Sequence, residues 1–295
     1  MEKVTPKCPI FYECGGCQLQ DMAYADQLQL KYVAVCEALT QIAQLRSPNV
    51  LPTVAASHPW HYRTRITLHC DRNGRIGFYR RGTHDAIEFD ECPIAAPGVN
   101  AKLAAEKKKI TGRPGHYEVR IDDGEGFTQI NPEQNKELQQ LLCDGLSGRS
   151  ATVVVELFCG NGNFSFPIAP LVGKLYGCDS HEGSITAAIA QAKSQKVKNV
   201  QFAAAESHKF MRTLQNQGVK ADGLVLDPPR RGAPEVIQSI LEMLPQWICY
   251  ISCNPETFAS DLKALCQGGY RLESCQPVDM FPQTNHVETI SWLSR

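Results

Sequence analysis

Two patterns of hydrophobic and polar positions divide the chain near residue 129. Beyond it, strand-like runs that are almost entirely apolar alternate with helix-like segments. The predicted strands are 151–157, 174–178, 200–203, 222–227, 247–252 and a pair near 270–279 and 286–293, and the predicted helices are 165–172, 183–195, 207–217, 233–244 and 256–267. Apolar strands are typical of a parallel sheet that helices cover on both faces. We therefore expect an α/β fold with a mostly parallel sheet and an antiparallel last strand.

The first part of the chain has a different rhythm. Apolar residues recur at helical spacing from Leu28 to Leu39, and a Ser-Pro-Asn sequence at 47–49 ends this helix. From Leu51 to about residue 127, short alternating runs such as RTRITLHC and GRIGFYRR predict a small antiparallel sheet. The expected domains are a β-rich domain formed by 1–19 and 50–128, and an α/β domain formed by 20–49 and 129–295.

Composition narrows the class of protein. The chain has 295 residues, of which 43% are hydrophobic and 21% are charged, as in soluble globular proteins. It has no apolar run near the roughly 20 residues that span a bilayer, and its N-terminus has no apolar stretch of signal-peptide length. We therefore expect a cytoplasmic protein with no membrane partner.

The formal net charge of the whole chain is only −1, so the molecule as a whole does not attract nucleic acid. Any nucleic-acid partner must therefore be bound by a local basic patch. Six arginines and one acid, Asp71, lie between Arg63 and Arg81. Histidine, tyrosine and phenylalanine are interleaved with them. Arginines on one face of a sheet could bind phosphates while aromatic side chains stack on unpaired bases. An ordinary solvated surface is the alternative interpretation.

The glycine turn after strand 151–157 predicts a cofactor crevice. In ELFCGNGNFS, Gly160 and Gly162 allow a sharp turn and a close approach of the backbone to a ligand. Ser165 stands where a dinucleotide fingerprint would have its third glycine. The next strand ends at Asp179, whose carboxylate could accept hydrogen bonds from ribose hydroxyls. These features favour a nucleoside cofactor without a diphosphate, such as S-adenosylmethionine; the alternative is a plain turn beside a solvated aspartate.

Later strands bring reactive groups to the same edge of the sheet. Asp227 ends the fourth strand in DPPR, and Cys253 lies on a strand-to-helix turn in ISCNP, where a helix N-terminus can favour a thiolate. Glu288, on the last strand, could act as a base. Amino-group methyltransferases that act on bases usually have an aromatic residue where Arg230 stands, which argues against that class. A buried structural cysteine is the alternative for Cys253.

The cysteines near the N-terminus predict a metal site. Cys8, Cys14 and Cys17 lie within ten residues, and Cys92 follows in DECPIA. Four thiolates can bind a tetrahedral zinc ion or a four-iron cluster, so their number does not decide the metal, and a site without metal is also possible.

Several motifs in order resemble those of the RNA uracil-5-methyltransferase family. They are GFTQIN, ELFCGNGNF, DPPRRG, ISCNP and FPQTNHVETI, and CPIFYECGGC with Cys92 resembles the iron-sulfur branch of that family. The resemblance extends from Cys8 to Glu288. It implies a class I, Rossmann-like, S-adenosylmethionine-dependent methyltransferase fold beside a small β-rich iron-sulfur and RNA-binding domain. The implied activity is methylation of carbon 5 of a uridine in RNA.

The resemblance also implies a role for individual residues. Cys253 would be the nucleophile that adds to carbon 6 of uracil, and Glu288 the general base that removes the proton from carbon 5. The implied S-adenosylmethionine site is lined by Gln129, Phe158, Asn163, Asp179 and Asp227. Asp179 stands where several relatives have glutamate. The four N-terminal cysteines would hold a [4Fe-4S] cluster with a structural or RNA-positioning role.

The RNA partner is less sharply implied. Relatives with the cluster more often act on large-subunit (23S) ribosomal RNA, which is therefore the expected substrate, and transfer RNA is the alternative. We expect the enzyme to be a monomer. We expect no room before Cys8 for the RNA-binding barrel of longer relatives, so the 50–128 layer would select the RNA. A non-catalytic RNA-binding protein with a methyltransferase fold is the alternative from another class.

Overall fold

The computed structural model describes residues 3–110, 112, 114–121 and 129–295, and it divides the chain into two compact units. Unit 1 consists of Met1–Lys31, Ala55–Asn135 and Asp279–His286. Unit 2 consists of Tyr32–Val54, Lys136–Val278 and Val287–Arg295. The first three residues of GFTQIN and the expected domain boundary at residue 128 lie outside the described residues.

A small antiparallel sheet forms in unit 1, in the strand order β3-β2-β1-β4. The elements in the first half of the chain are α1 (Tyr24–Gln41), β1 (Arg65–Cys70), β2 (Ile76–Tyr79), β3 (Ala86–Ile87), α2 (Pro97–Lys109), β4 (Gly115–Arg120) and α3 (Pro132–Leu146). Along β1, Ile66, Leu68 and Cys70 point into the core, as the alternating pattern predicts. The helices α2 and α3 were not among the predicted elements.

Unit 2 contains a seven-stranded sheet in the order β10-β11-β9-β8-β5-β6-β7. Its elements after α3 are β5 (Val153–Leu157), α4 (Ser165–Ile168), β6 (Lys174–Asp179), α5 (Glu182–Ser194), β7 (Val200–Ala204), α6 (Ser207–Asn216), β8 (Gly223–Leu226), α7 (Pro234–Met243), β9 (Trp247–Ser252), α8 (Pro255–Gln267), β10 (Arg271–Val278) and β11 (Glu288–Ser294). The first five strands are parallel and the last two are antiparallel. The predicted α/β fold is confirmed, although helix 165–172 is one α-turn followed by a 3₁₀ turn, Ala169–Leu171.

The strand order changes direction at β5, which pairs with β6 on one side and with β8 on the other. In open α/β sheets, ligands bind in the crevice outside the carboxyl ends of the strands at such a point. The loops after β5, β6, β8 and β9 all leave the sheet at this edge. Because β11 is antiparallel to β9, its first residue, Glu288, lies at the same edge.

A buried ion pair lies within unit 1. Lys31 pairs with Asp279, and neither side chain has any exposed area. Tyr24 donates a hydrogen bond of 2.8 Å from its hydroxyl to the same carboxylate, and the Lys31 ammonium also donates to the carbonyl of Phe281. Burial lowers the pKa of Lys31, and the negative charge of Asp279 opposes that shift. These bonds hold the segment Asp279–His286, which continues directly into β11.

No helix in the described parts of the chain combines the length and the apolar character needed to cross a membrane.

We expect Lys31→Met to lower the free energy of unfolding by about 3–5 kcal/mol, because it leaves the Asp279 carboxylate buried without a counter-charge. Denaturant unfolding followed by circular dichroism measures this. Lys3→Met is the matched control, since Lys3 pairs with Asp21 while being 74% exposed, and it should cost about 0–1 kcal/mol. Adding Asp279→Leu to Lys31→Met should recover much of the loss. Equal losses in the two lysine variants would contradict the role of the buried pair.

Candidate functional site

The loop after β5 forms the predicted tight turn. Phe158, Gly160 and Gly162 all have positive φ angles, of 61°, 54° and 92°. The Gly160 amide donates a hydrogen bond of 3.0 Å to one carboxylate oxygen of Asp179, and the His181 amide donates one of 2.8 Å to the other. The carboxylate at the end of β6 is therefore held between the glycine turn and the start of α5.

The remaining predicted cofactor residues lie in different parts of the chain. Asn163 accepts two hydrogen bonds from the Gln139 side chain, through its backbone and side-chain oxygens. Asp227 follows β8 and is only partly exposed. These residues, with Phe158 and Asp179, belong to unit 2. Gln129 belongs to unit 1, where its carbonyl accepts a bond of 3.4 Å from the Thr64 hydroxyl.

Glu156 is a buried acid that sequence reasoning missed. It is 1% exposed within the apolar strand β5, and Ser165 donates a hydrogen bond to one of its oxygens. Its other oxygen is buried without a hydrogen-bond partner among the described residues. Burial raises the pKa of Glu156 to about 8, and the charges of Asp227 and Asp179 add to the shift. An acid inside an otherwise apolar strand, VVVELF, was the signal that could have revealed it.

The strand register brings the predicted nucleophile and base together. In the antiparallel pair of β9 and β11, Ser252 lies opposite Thr289 and Ile251 opposite Ile290. Cys253 and Glu288 are the next residues at this end of the two strands, and the charge of Glu288 raises the pKa of the Cys253 thiol. Cys253 is partly exposed and Glu288 is 8% exposed, so the thiol is the more accessible of the two.

Hydrogen bonds tie the loop of Cys253 to the loop of Asp227. The side chain of Asn254 caps α8 by accepting a bond of 3.1 Å from the Glu256 amide. The same side chain donates to the carbonyl of Arg230, and so does the Thr257 hydroxyl, both at 3.1 Å. The DPPRRG and ISCNP loops therefore form one connected edge of the site.

Electrostatic interactions favour the protonated forms at this edge. Burial raises the pKa of Cys253 to about 11, with further increases from Glu288 and Asp227, while the positive charge of Arg230 opposes the shift. Burial, followed by the charge of Asp227, raises the pKa of Glu288 well above its ordinary value. Burial and the charge of Asp179 raise the pKa of Asp227 to about 7. The site therefore holds protons near neutral pH and favours a positively charged ligand.

The four predicted ligand cysteines come together in unit 1. Cys8, Cys14, Cys17 and Cys92 line one cavity of about 210 Å³, and all are free thiols. Burial raises the pKa of each, that of Cys17 to about 12. Within the described ranges, no group of three or more His, Cys, Asp or Glu side chains is arranged to hold a metal ion. The structure thus gathers the predicted ligands around a cavity without an ion-binding geometry.

Two arginines lie beside these thiols. Arg81 donates to the carbonyls of Cys14 at 3.0 Å and Cys17 at 2.6 Å, and its guanidinium lies 4.9 Å from the ring centre of Phe11. Arg63 lines the cavity, and its Nε is buried without a hydrogen-bond partner among the described residues. The positive charge of Arg63 lowers the pKa of Cys17 against the larger effect of burial. The surroundings of the cavity therefore favour an anionic occupant.

Several arginines of the basic patch form ion pairs with acidic residues. Arg75 pairs with Asp71 at 2.8 Å, but Arg80 pairs with Glu13, which comes from outside the arginine-rich stretch. Arg65 likewise lies 3.5 Å from Glu118. Much of the local positive charge is therefore balanced by acids that only the fold brings near.

The chain is similar to known RNA methyltransferases. The sequence profile of the family described as tRNA (uracil-5-)-methyltransferase matches residues 98–295. An uncharacterized RNA methyltransferase of Thermosynechococcus vestitus is 30% identical over 383 residues, covering 99% of this chain and 85% of that protein. One of Halalkalibacterium halodurans is 29% identical over 383 residues, covering 99% and 84%. Because these alignments are longer than the 295-residue chain, the relatives contain segments that it lacks.

A solved structure has a similar fold. It is the tRNA (uracil-54, C5)-methyltransferase of Pyrococcus abyssi in complex with S-adenosyl-L-homocysteine, with a TM-score of 0.69 and 22% identity. The match covers 99% of this chain and 88% of that one. At this level of identity the similarity establishes the fold, which is that of an S-adenosylmethionine-dependent methyltransferase.

We expect Glu156→Gln to stabilise the protein increasingly between about pH 4.5 and pH 8. The native state holds a proton on Glu156 over this range and the unfolded state does not, so wild-type stability falls as pH rises, and the neutral variant escapes this loss. The gain above pH 8 should be on the order of 4 kcal/mol. Thermal unfolding across pH measures it, with Glu137→Gln, at an exposed position of α3, as control. A gain independent of pH would contradict the assignment.

Proposed function

We propose a chemical mechanism for this chain, which belongs to the tRNA (uracil-5-)-methyltransferase family and is an RNA methyltransferase that uses S-adenosylmethionine. In this mechanism, the enzyme methylates carbon 5 of a uridine through a covalent bond from Cys253 to the uracil ring. The observation that carries this proposal is the pairing of β9 and β11, whose last pair, Ser252 with Thr289, leaves Cys253 and Glu288 as the next residues at the same end. A thiol near a carboxyl group is the pair that this chemistry needs.

The reaction needs covalent catalysis because carbon 5 of uracil is a weak nucleophile. The Cys253 sulfur forms a bond to carbon 6, which turns the ring into an enolate, and carbon 5 then takes the methyl group from the sulfonium centre. Glu288, as carboxylate, takes the proton from carbon 5. The restored ring double bond then expels the sulfur as the bond from Cys253 to carbon 6 breaks. The thiol must lose its proton first, and the acceptor must be a group other than Glu288. Asp227, which acts on Cys253 and has a pKa of about 7, is the neighbouring acid that fits this step.

S-Adenosylmethionine supplies the methyl group as a sulfonium cation. Phe158, Asn163 and Asp179 would hold it at the carboxyl ends of β5 and β6, and Asp227 would complete this part of the site within unit 2. Gln129, a residue of unit 1, is implied by the resemblance alone. Support comes from the glycine turn, from the fixed Asp179 carboxylate, and from Asp227 and Glu288, whose ionised forms a bound cation would stabilise. Binding a cation would relieve the repulsion among those acids.

Large-subunit ribosomal RNA is the proposed substrate, because the cysteine motif resembles that of the iron-sulfur branch. Transfer RNA is the second candidate, since the family profile and the Pyrococcus abyssi enzyme both bear the name of transfer RNA. We assign the methyltransferase chemistry to unit 2, and the RNA-binding and iron-sulfur functions to unit 1.

We expect a stable covalent adduct between the protein and 5-fluorouridine-substituted 23S ribosomal RNA. Fluorine at carbon 5 cannot leave as a proton, so the bond from Cys253 to carbon 6 persists after methyl transfer. Denaturing gel electrophoresis and intact-mass measurement detect the adduct. Cys253→Ala should abolish both the adduct and methyl transfer to unsubstituted RNA.

Matched transcripts and variants separate the alternatives. Cys249→Ala, at a buried position of β9 with no assigned role, should keep the activity. An adduct with transfer RNA alone would make the enzyme a transfer RNA methyltransferase. RNA binding without methylation of either RNA would indicate a non-catalytic protein. Full activity of Cys253→Ala would refute the covalent mechanism.

The cavity lined by Cys8, Cys14, Cys17 and Cys92, which we call the cysteine cavity, is the proposed site of a [4Fe-4S] cluster. Its four thiols match the ligand number of such a cluster, and Arg63 and Arg81 would offset the negative charge of a tetrathiolate site. Uracil methylation involves no net oxidation or reduction, so the role of the cluster would be to hold the N-terminal loop and the segment of Cys92 together.

We expect anaerobically purified protein to contain about four iron and four sulfide ions per chain and to absorb broadly in the visible range. Cys14→Ser should lose this absorption and most of the iron. Cys70→Ala is the matched control, since Cys70 is a buried thiol of unit 1 that does not line the cavity. If the protein instead contained one zinc ion per chain and no iron, the cluster assignment would be wrong and the site would be a zinc site.

A further inference from the structure

A second cavity in unit 1 is not used by the proposed chemistry. Its volume is about 570 Å³, within the range of small-molecule sites. Trp60, His61 and Pro132 contribute to its lining, and His58 and Glu133 add polar groups. A nitrogen of the His58 ring lies 2.8 Å from a carboxylate oxygen of Glu133, so the polar part of the lining is an ion pair or hydrogen bond between two residues distant in sequence.

The aromatic lining is held in place by the rest of unit 1. Trp60 packs on the core cluster of that unit, and the Lys7 ammonium lies 4.7 Å from the centre of its ring. His61 has a φ of 56°, and its backbone amide donates a bond of 3.0 Å to the Pro93 carbonyl. A residue other than glycine at such an angle is uncommon and is kept there by its surroundings. The lining is thus preorganised rather than free to collapse.

We propose that this cavity, which we call the Trp60 cavity, binds an unpaired nucleobase of the substrate RNA. The inference rests on the proposed function for its choice of RNA as ligand. Trp and His rings offer flat faces on which any base can stack, and the His58 and Glu133 pair offers groups that can hydrogen-bond to base edges. Lys7 places a positive charge over one face of the Trp60 ring, which leaves the other face for a base and offers a contact to a backbone phosphate of the same RNA.

A base in the Trp60 cavity must be outside a duplex, because a stacked and paired base exposes neither face. The cavity would therefore select unpaired RNA segments without reading much of their sequence. This property suits an enzyme whose target atoms are hidden in stacked RNA and must be reached in a loop or after extrusion of the base.

Tryptophan fluorescence gives a direct test. The chain has three tryptophans, and Trp247 and Trp292 are only 2% and 7% exposed, so Trp60 is the accessible reporter. We expect single-stranded poly(A) and poly(U) to quench the emission of the wild-type protein, and the poly(A)·poly(U) duplex to quench it much less. Trp60→Phe should lose the quenching and keep most of the affinity, because phenylalanine still stacks.

Affinity for the single strands gives the second readout. Trp60→Ala should raise the dissociation constant by about fivefold to 150-fold, the range expected for one stacked base. Tyr12→Ala is the matched control, since Tyr12 is an aromatic residue of unit 1 that is 71% exposed and does not line the cavity. Should Trp60→Ala fail to fold, His61→Ala replaces it in the comparison of affinities, and Trp60→Phe still tests the quenching.

The outcomes separate this inference from the proposed function. Binding of single-stranded RNA without quenching, together with unchanged affinity in Trp60→Ala, would overturn the Trp60 cavity as a base site. Methyl transfer by the same protein would still uphold the enzyme. Quenching by duplex RNA as strong as by single strands would also overturn it. Quenching by single strands in a protein that transfers no methyl group would uphold the cavity and refute the proposed function.

Discussion

The charge of Asp227 links the titratable groups in the site of unit 2. It raises the pKa of Glu156, of Cys253 and of Glu288, three groups that reach the same edge from three different strands. Burial is the larger cause in each case, but burial acts on each group separately, whereas the charge of Asp227 connects them. Gain or loss of one proton at Asp227, whose pKa is about 7, therefore changes the balance at every other group. A cation in the crevice would lower all of these pKa values together, so binding of a sulfonium cofactor and activation of the thiol would be coupled.

Unit 1 also contains a buried acid, but there the acid has partners that balance its charge. It buries the charge of Asp279 but supplies Lys31 and Tyr24 as partners, so the segment leading to Glu288 begins from a fully satisfied network. Arg81 serves the cysteine loop similarly by donating to two of its carbonyls. Among the described residues, buried side-chain atoms without a hydrogen-bond partner remain at Arg63, Glu156, Glu235 and Ser291, and those of Arg63 and Glu156 lie at the proposed cluster site and within the strand that leads to the glycine turn. Since buried polar groups are normally paired, the exceptions at Arg63 and Glu156 mark the places where a ligand is expected.

Most of the α/β fold could be predicted from the sequence because its strands are short apolar runs between helices, and this periodicity is local. The residues at the strand ends, such as Asp179, Asp227 and Cys253, could be chosen for the same reason, since parallel strands bring their carboxyl ends to one edge. Glu156 was missed because its position in a strand gave no sign of how deeply it is buried. The arginine-rich stretch was overestimated as a basic surface because its acidic partners, Glu13 among them, come from elsewhere in the chain. The roles of the site residues stay predictions.

By itself the sequence determined the type and order of the elements, the family, and the residues able to carry the chemistry, because periodicity and motif chemistry depend on neighbours along the chain. The tertiary structure decided which of those residues meet. The pairing of β9 with β11 brings Cys253 and Glu288 to the same end of the two strands, and a shift of one residue would turn the carboxyl group to the other face of the sheet. The grouping of Cys92 with the N-terminal cysteines and the protonation of the acids are likewise products of folding, since distance and exclusion of water exist only in three dimensions.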